Sequence, residues 1–352
     1  MFESLTIIDC STVLAGPSVG TFFAELGAKV LKIENPEVPD VTRSWKLPDE
    51  DKNSSISAYF SSVNYKKQYE KLNFKLQTDR EQLLGLIAHA DIFLSNFKKG
   101  DAEKFGITDE TLQKINPKLI IGKISGFGSA SDRVAYDLIL QAETGFMSMN
   151  GTPTSGPVKM PVALIDVLAA HHLKEGLLTA LLNRHVTGKG AVVSVSLYDA
   201  AVSSLANQAS NYLMQNHIPK RIGSLHPNIA PYGEIFTTAE GELITLAIGS
   251  NKHFSLLCQF LGLENLLSDL KFSENASRVA NRVELFETLQ ERIGQQQTAQ
   301  LMDAMNKNYV PIGKIKNLAE VFSDSKTAKL IRDEQMEGKE TKRVSQIAFT
   351  IQ

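Results

Sequence analysis

Two short runs rich in β-branched and apolar residues, Leu5 to Asp9 and Lys29 to Glu34, frame one helical stretch, Ser18 to Leu26, and that pattern constrains the fold more than any other feature. Gly16-Pro17 lies between the first run and the helix, where proline suits the first helical position because its missing N–H has no partner there anyway. A strand, a turn, a helix and a second strand within about thirty residues make a βαβ unit, and such a unit forces its two strands to be parallel. The pattern then recurs. An amphipathic segment over 79–89 leads to the apolar run Ala90 to Leu94, a helix pattern from Thr108 to Lys114 leads to Lys118 to Ile124, and Ala191 to Leu197 follows a long apolar stretch from Pro161 to Leu182. Strands alternating with helices predict an α/β fold with a parallel sheet covered on both faces.

A Gly/Ser-rich loop from Ser125 to Val134 reaches the edge of that sheet, and helical spacing returns over Ala135 to Met149 and again over Asp199 to Met214. From Tyr232 the texture changes. Gly233 to Thr237 and Leu243 to Ile248, joined by a Glu240-Gly241 turn, predict a hairpin followed by short amphipathic helices, a smaller α+β domain. The tail from Lys326 onward is polar and reads as loosely packed.

With 37 basic against 39 acidic residues the net charge is −2, which gives no electrostatic attraction to nucleic acid or to an anionic membrane. The start carries no basic segment followed by an apolar one, and no apolar run reaches the length of a membrane span, so a cytoplasmic location is expected. The two cysteines, Cys10 and Cys258, are far apart and lack CxxC spacing, and the seven histidines show no ligand pattern, so neither a disulfide framework nor a metal site is expected. Ser125-Gly-Phe-Gly-Ser does not place its serine at the centre of a strand-to-helix elbow, which argues against a serine triad.

Three places remain for chemistry. The first βα turn, Val13 to Gly20, sits where open α/β sheets bind nucleotides, although its glycines do not form GxGxxG and an ordinary helix start needs the same residues. Asp166 stands in Met160-Pro-Val-Ala-Leu-Ile-Asp-Val-Leu-Ala-Ala, with no basic neighbour to pair its charge. It is either a helix cap or a carboxylate kept ionised at a helix N-terminus, where it could attack a thioester without a metal or organic cofactor, because a thiolate leaves without a general acid. Asp137, with Gln141 one turn on, is a second isolated acid, and a cap or surface role explains it as well.

Together these stretches resemble the class III CoA-transferases, the group of formyl-CoA transferase, carnitine CoA-transferase and the related α-methylacyl-CoA racemase. The resemblance rests on Val13-Leu-Ala-Gly-Pro, Ala24-Glu-Leu-Gly-Ala-Lys-Val-Leu-Lys-Ile-Glu34, Asp40-Val-Thr-Arg-Ser-Trp45, Ala90-Asp-Ile-Phe-Leu-Ser-Asn-Phe97, Asn116 to Gly128, Tyr136-Asp-Leu-Ile-Leu-Gln-Ala and His226-Pro-Asn-Ile-Ala-Pro-Tyr-Gly233. It implies that Asp166, 29 positions after Asp137, is the nucleophile and Asp137 the second acid near the thioester. It implies further that Val13, Ala15, Asn96, Phe97 and Lys104 line the CoA channel, with Lys104 standing where many members carry arginine. The usual Asn-Lys-Arg-Ser segment is replaced here by Asn64-Tyr-Lys-Lys-Gln-Tyr69, and the Gly-rich loop of the oxalate enzymes is absent.

The architecture implied is an interlocked homodimer. Its Rossmann-like large domain, spanning 1–200 and completed by about 315–352, is separated by a linker over 201–225 from a small α+β domain over 226–314. The activity implied is movement of CoA from an acyl-CoA to a small carboxylic acid through an aspartyl-CoA thioester and mixed anhydrides, with no cofactor beyond CoA itself. Two other readings stay open: a 2-methylacyl-CoA racemase, disfavoured because Tyr136 replaces the histidine that such an enzyme needs, and a non-catalytic acyl-CoA-binding protein.

Overall fold

In the computed structural model, which describes residues 2–352, the opening apolar run becomes the central strand of a six-stranded sheet. The strands are β1 (Thr6–Asp9), β2 (Lys29–Glu34), β3 (Lys67–Lys71), β4 (Ile92–Ser95), β5 (Ile120–Ser125) and β6 (Ala191–Ser196). They pair in the order β3-β2-β1-β4-β5-β6, all parallel, with Ile7 opposite Val30 on one side and Ile92 on the other. The chain winds outward one way from β1 and then the other way from β4, so the carboxyl ends of β1 and β4 flank the topological switch point where such sheets leave a crevice.

Alternate residues of each strand feed opposite faces, and the inner strands β1, β4 and β5 are largely buried on both, which is why they read as nearly continuous apolar runs. Ile7, Val30, Ile92, Leu94 and Ile120 pack with Val19 and Phe23 of the helix Ala15–Glu25 and with Leu173 and Leu177 of the helix Leu164–Thr187. Ile8, Ile33, Phe93 and Ile121 pack on the other side with Leu83 and Ile87 of the helix Gln77–Ile87 and Leu112 of Asp109–Ile115. The 24-residue helix Leu164–Thr187 is the crossover from β5 to β6. It stops at Gly188, whose φ of +71° is a left-handed cap that a side chain resists.

Strand β3 has no counterpart in the apolar pattern, because Lys67-Gln-Tyr-Glu-Lys71 is polar at an edge position and its one fully inward group, Lys67, is neutralised by Asp9. The segment 135–149 is two short helices, Asp137–Glu143 and Phe146–Met149, separated at Gly145 with φ of +90°. The expected helix over 199–214 is likewise divided into Leu197–Ser203 and Ala206–Gln215.

The chain forms two compact units. One runs to Met147, resumes over Lys159–Pro219 and closes with Ala328–Gln352; the other is Ser148–Val158 and Lys220–Thr327. In the second, β7 (Tyr232–Thr237), β8 (Leu243–Ala247) and β9 (Ile312–Lys314) form an antiparallel sheet. Its core joins Phe236, Ile244 and Leu246 to Phe254, Leu257, Leu285, Leu289 and Leu301 of the helices Asn251–Leu261, Arg282–Ile293 and Thr298–Lys307.

The tail is packed rather than loose. It forms a hairpin of β10 (Ile331–Met336) and β11 (Lys339–Val344), buries Met336 against Ile56 and Phe60, and pairs Arg343 with Glu25 at 2% and 3% side-chain exposure. Its polar residues gave no apolar signal because a buried ion pair anchors it.

Candidate active site

The first βα turn is built from its main chain outward. Asn96, just beyond β4, accepts a hydrogen bond from the Thr12 N–H and donates one to the Thr12 carbonyl, each 3.0 Å long. Val13 adopts φ of +73°, a region that β-branched residues avoid, and its N–H points at the Asp40 carboxylate, 3.2 Å from Oδ2. Asp40 is ion-paired with Lys32 at 3.3 Å, both side chains fully buried, and the same Lys32 ammonium donates to the Ser11 carbonyl at 2.7 Å. Beneath them Lys67 bonds Asp9 at 2.8 Å and Asn64 Oδ1 at 3.0 Å.

Burial opposes the charge on Asp9, but Lys67 and Lys32 outweigh it and hold the carboxyl below its usual range; burial lowers Lys67 to about 8, still cationic at neutral pH. The altered Asn64 to Tyr69 segment therefore turns its asparagine and Lys67 inward to support the turn.

Ala15 opens the helix Ala15–Glu25 behind Leu14, whose side chain offers no cap, so main-chain donors at this helix start face the switch point. Phe97 packs against Phe74, Phe93 and Phe105, and Lys104 lies on the exposed helix Asp101–Phe105 with its ammonium 5.7 Å from the Phe105 ring. Of the residues expected to line a CoA channel, Val13 and Asn96 are thus joined through Thr12, and Phe97 and Lys104 through Phe105.

Asp166 is the third residue of the helix Leu164–Thr187, whose start lies at the carboxyl end of β5 because the helix runs antiparallel to the strands it connects. It does not cap the helix. That role falls to Asp137, whose Oδ1 accepts from the Ile165 N–H at 2.7 Å. Asp137 is held in turn by the buried Gln141, which donates to Oδ2 at 2.5 Å and accepts from the Met160 N–H at 2.8 Å. The Asp166 carboxylate, half-buried, has no hydrogen-bond partner among the described residues.

Burial, and then the negative charge of Asp137, raise its pKa from 3.8 to about 7. The phenol of Tyr59, pushed up to about 12 by burial and by Asp166, Asp137 and Asp40 in that order, faces the same carboxylates, and Trp45 stacks edge-on against it at 5.2 Å. One phenol thus feels both acids and the aspartate behind the first turn. Nothing local in the sequence marks Tyr59 or Lys67, because each acquires its role from residues far along the chain. The one available signal is a lysine inside the apolar strand Lys-Val-Leu-Lys-Ile-Glu, which must find a buried partner.

Among the described residues no group of three or more His, Cys, Asp or Glu side chains could hold a metal ion, and no helix is long and apolar enough to cross a membrane.

A doubly wound parallel sheet with a first βα turn and an isolated carboxylate at its carboxyl edge defines an open α/β protein whose candidate site lies beyond the strand ends. Residues 2–352 match the profile of CoA-transferase family III, and the chain belongs to that family. It is similar to succinate–glutarate CoA-transferase of Agrobacterium fabrum, 35% identical over 92% of this chain and 82% of that one. It is similar also to acetyl-CoA:oxalate CoA-transferase of Acetobacter aceti, 34% identical over 93% and 84%. The crystal structure of a CAIB/BAIF family protein from Brucella suis superposes with a TM-score of 0.88 at 35% identity, covering 99% of this chain and 92% of that one. The resemblance seen in the sequence motifs is borne out: the protein is an enzyme that transfers CoA from an acyl-CoA to a carboxylic acid.

Proposed function

We propose that Asp166 is the nucleophile of this transfer and carries CoA as an aspartyl thioester. Its carboxylate attacks the donor acyl-CoA and expels CoA thiolate, leaving a mixed anhydride. The thiolate returns to the Asp166 carbonyl, releasing the donor acid and forming aspartyl-CoA. The acceptor carboxylate then attacks that thioester, and the freed thiolate attacks the acyl carbon of the second anhydride to give the new acyl-CoA and restore Asp166. Every step exchanges an oxygen for a sulfur on an acyl carbon, so no proton donor or external reagent is consumed.

The observation that carries this reading is a carboxylate at a helix start, free of hydrogen-bond partners and raised to about 7, while its neighbour Asp137 does the capping. A carboxylate that is a stronger base is a stronger nucleophile, and at neutral pH much of it is still ionised. In this reading Asp137 fixes the helix start and keeps Asp166 basic. Val13, Ala15, Asn96, Phe97 and Lys104 bind CoA at the switch point, where the main-chain donors before Pro17 stabilise the oxyanions.

The relatives' substrates, succinate with glutarate and acetyl-CoA with oxalate, support a small dicarboxylate as one of the acids exchanged. An interlocked homodimer in the cytoplasm belongs to the same proposal, as do the domain limits given by the motifs. Hydroxylamine, which intercepts activated carboxyls, should inactivate the enzyme only in the presence of acyl-CoA. Inactivation independent of acyl-CoA, or none during active turnover, rules the mechanism out.

A further inference from the structure

We infer that Asp40 is a positioning residue for CoA, holding Val13 in a left-handed conformation that the valine side chain itself opposes. The inference deepens the proposed function, since it rests on Val13 being part of the CoA-binding turn.

Four consecutive main-chain groups of the turn are taken up by side chains: the Ser11 carbonyl by Lys32, the Thr12 N–H and carbonyl by Asn96, and the Val13 N–H by Asp40. The Thr12 carbonyl and the Val13 N–H belong to one rigid peptide plane, held at one edge by Asn96 and at the other by Asp40, so that plane cannot swing to relieve the strain at Val13. A β-branched residue with φ of +73° persists only where its surroundings over-determine it.

Asp40 is suited to impose this. Its side chain is fully buried, ion-paired to Lys32, and bonded to the Thr42 N–H at 3.1 Å and the Thr42 hydroxyl at 2.7 Å, so it cannot follow Val13 if the turn relaxes. With the groups before it satisfied, the turn leads directly into the start of the helix Ala15–Glu25, which no side chain caps. Its direction is set by the one residue under strain. Glycine has no such preference, so replacing Val13 by glycine removes the need for the restraint.

This logic gives a double-mutant test with CoA binding, measured by calorimetry, as the readout. Asp40→Asn keeps the volume and the bonds to Thr42 but weakens the hold on Val13. In the parent protein it should weaken CoA binding about tenfold, about 1.4 kcal/mol. In the Val13→Gly background the same change should weaken binding by about twofold or less, because the turn adopts the left-handed conformation unaided. Where Asp40→Asn leaves Lys32 uncompensated and the protein does not fold, the paired Lys32→Met/Asp40→Asn change removes both buried charges and the same comparison is made with it. Equal losses in the two backgrounds overturn the positioning role while leaving the functional reading intact. Failure of the parent protein to bind CoA overturns both.

Discussion

Replacing Asp166 by asparagine should stabilise the protein while destroying its activity, and the stabilisation should depend on pH in a way that identifies its origin. The carboxyl moves from 3.8 in the unfolded chain to about 7 in the folded one. Below pH 4 both states are protonated and the shift has no effect. As pH rises further the unfolded chain releases its proton while the folded chain keeps it, so the wild-type protein loses stability up to about pH 7, and the loss then levels off.

At 1.36 kcal/mol per pH unit the full difference is about 4 kcal/mol. Partial solvent access and the attraction of the helix N-terminus for a carboxylate, about 0.5 kcal/mol, reduce the expected effect to about 2 kcal/mol. For a chain of this size that is a rise in Tm of about 3 °C at pH 8. Paired thermal melts of wild type and Asp166→Asn between pH 4 and pH 9 should show a gap that opens near pH 4 and is constant above pH 7, with transfer reduced at least about a thousandfold. A gap that does not change with pH, or a less stable variant at pH 8, would refute the claim that Asp166 is held against its own charge.

Four further outcomes follow from the same geometry. The pH profile of kcat/KM should rise with pH around an apparent pKa near 7 belonging to the Asp166/Asp137 pair, and Asp137→Asn should shift it downward by removing the neighbouring charge. Asp137→Ala leaves the Ile165 N–H without its acceptor and should lower stability by about 1 kcal/mol in urea titration, in addition to slowing transfer. Asn96→Ala strips both partners from Thr12 and should raise the KM for acyl-CoA about tenfold with a smaller change in kcat, seen in initial-rate kinetics. Arg343→Ala leaves Glu25 buried and unpaired, so urea titration should show a loss of about 3 kcal/mol.

The sheet was legible wherever a strand is apolar or β-branched: β1, β2, β4 and β5 fall on runs that burial leaves little room to interrupt, and the edge strand β6 on the β-branched run Ala191 to Leu197, although Val192 and Ser194 are exposed. It was illegible where charge is buried by pairing. Strand β3 enters through Lys67 and the tail hairpin through Arg343, and in each the partner, Asp9 or Glu25, is distant in sequence.

The site divides in the same way. Asp166 stood out as an unpaired acid in an apolar stretch, yet its location served a cap and a nucleophile equally. What removes the cap role from Asp166 is that Asp137, at the start of the helix Asp137–Glu143, takes the Ile165 N–H, a contact between residues 28 positions apart. The surrounding groups Tyr59, Asp40 and Lys32 come together only once the strand order brings β1, β2 and the loops after them to one edge.

Borohydride reduces an aspartyl thioester to an alcohol, so tandem mass spectrometry after reduction in the presence of acyl-CoA reads the site of attachment directly. A reduced side chain at position 166, absent without acyl-CoA and absent in Asp166→Asn, is the expected result. Reduction at any other carboxylate, or an unmodified Asp166 in enzyme trapped during turnover, would contradict the central claim.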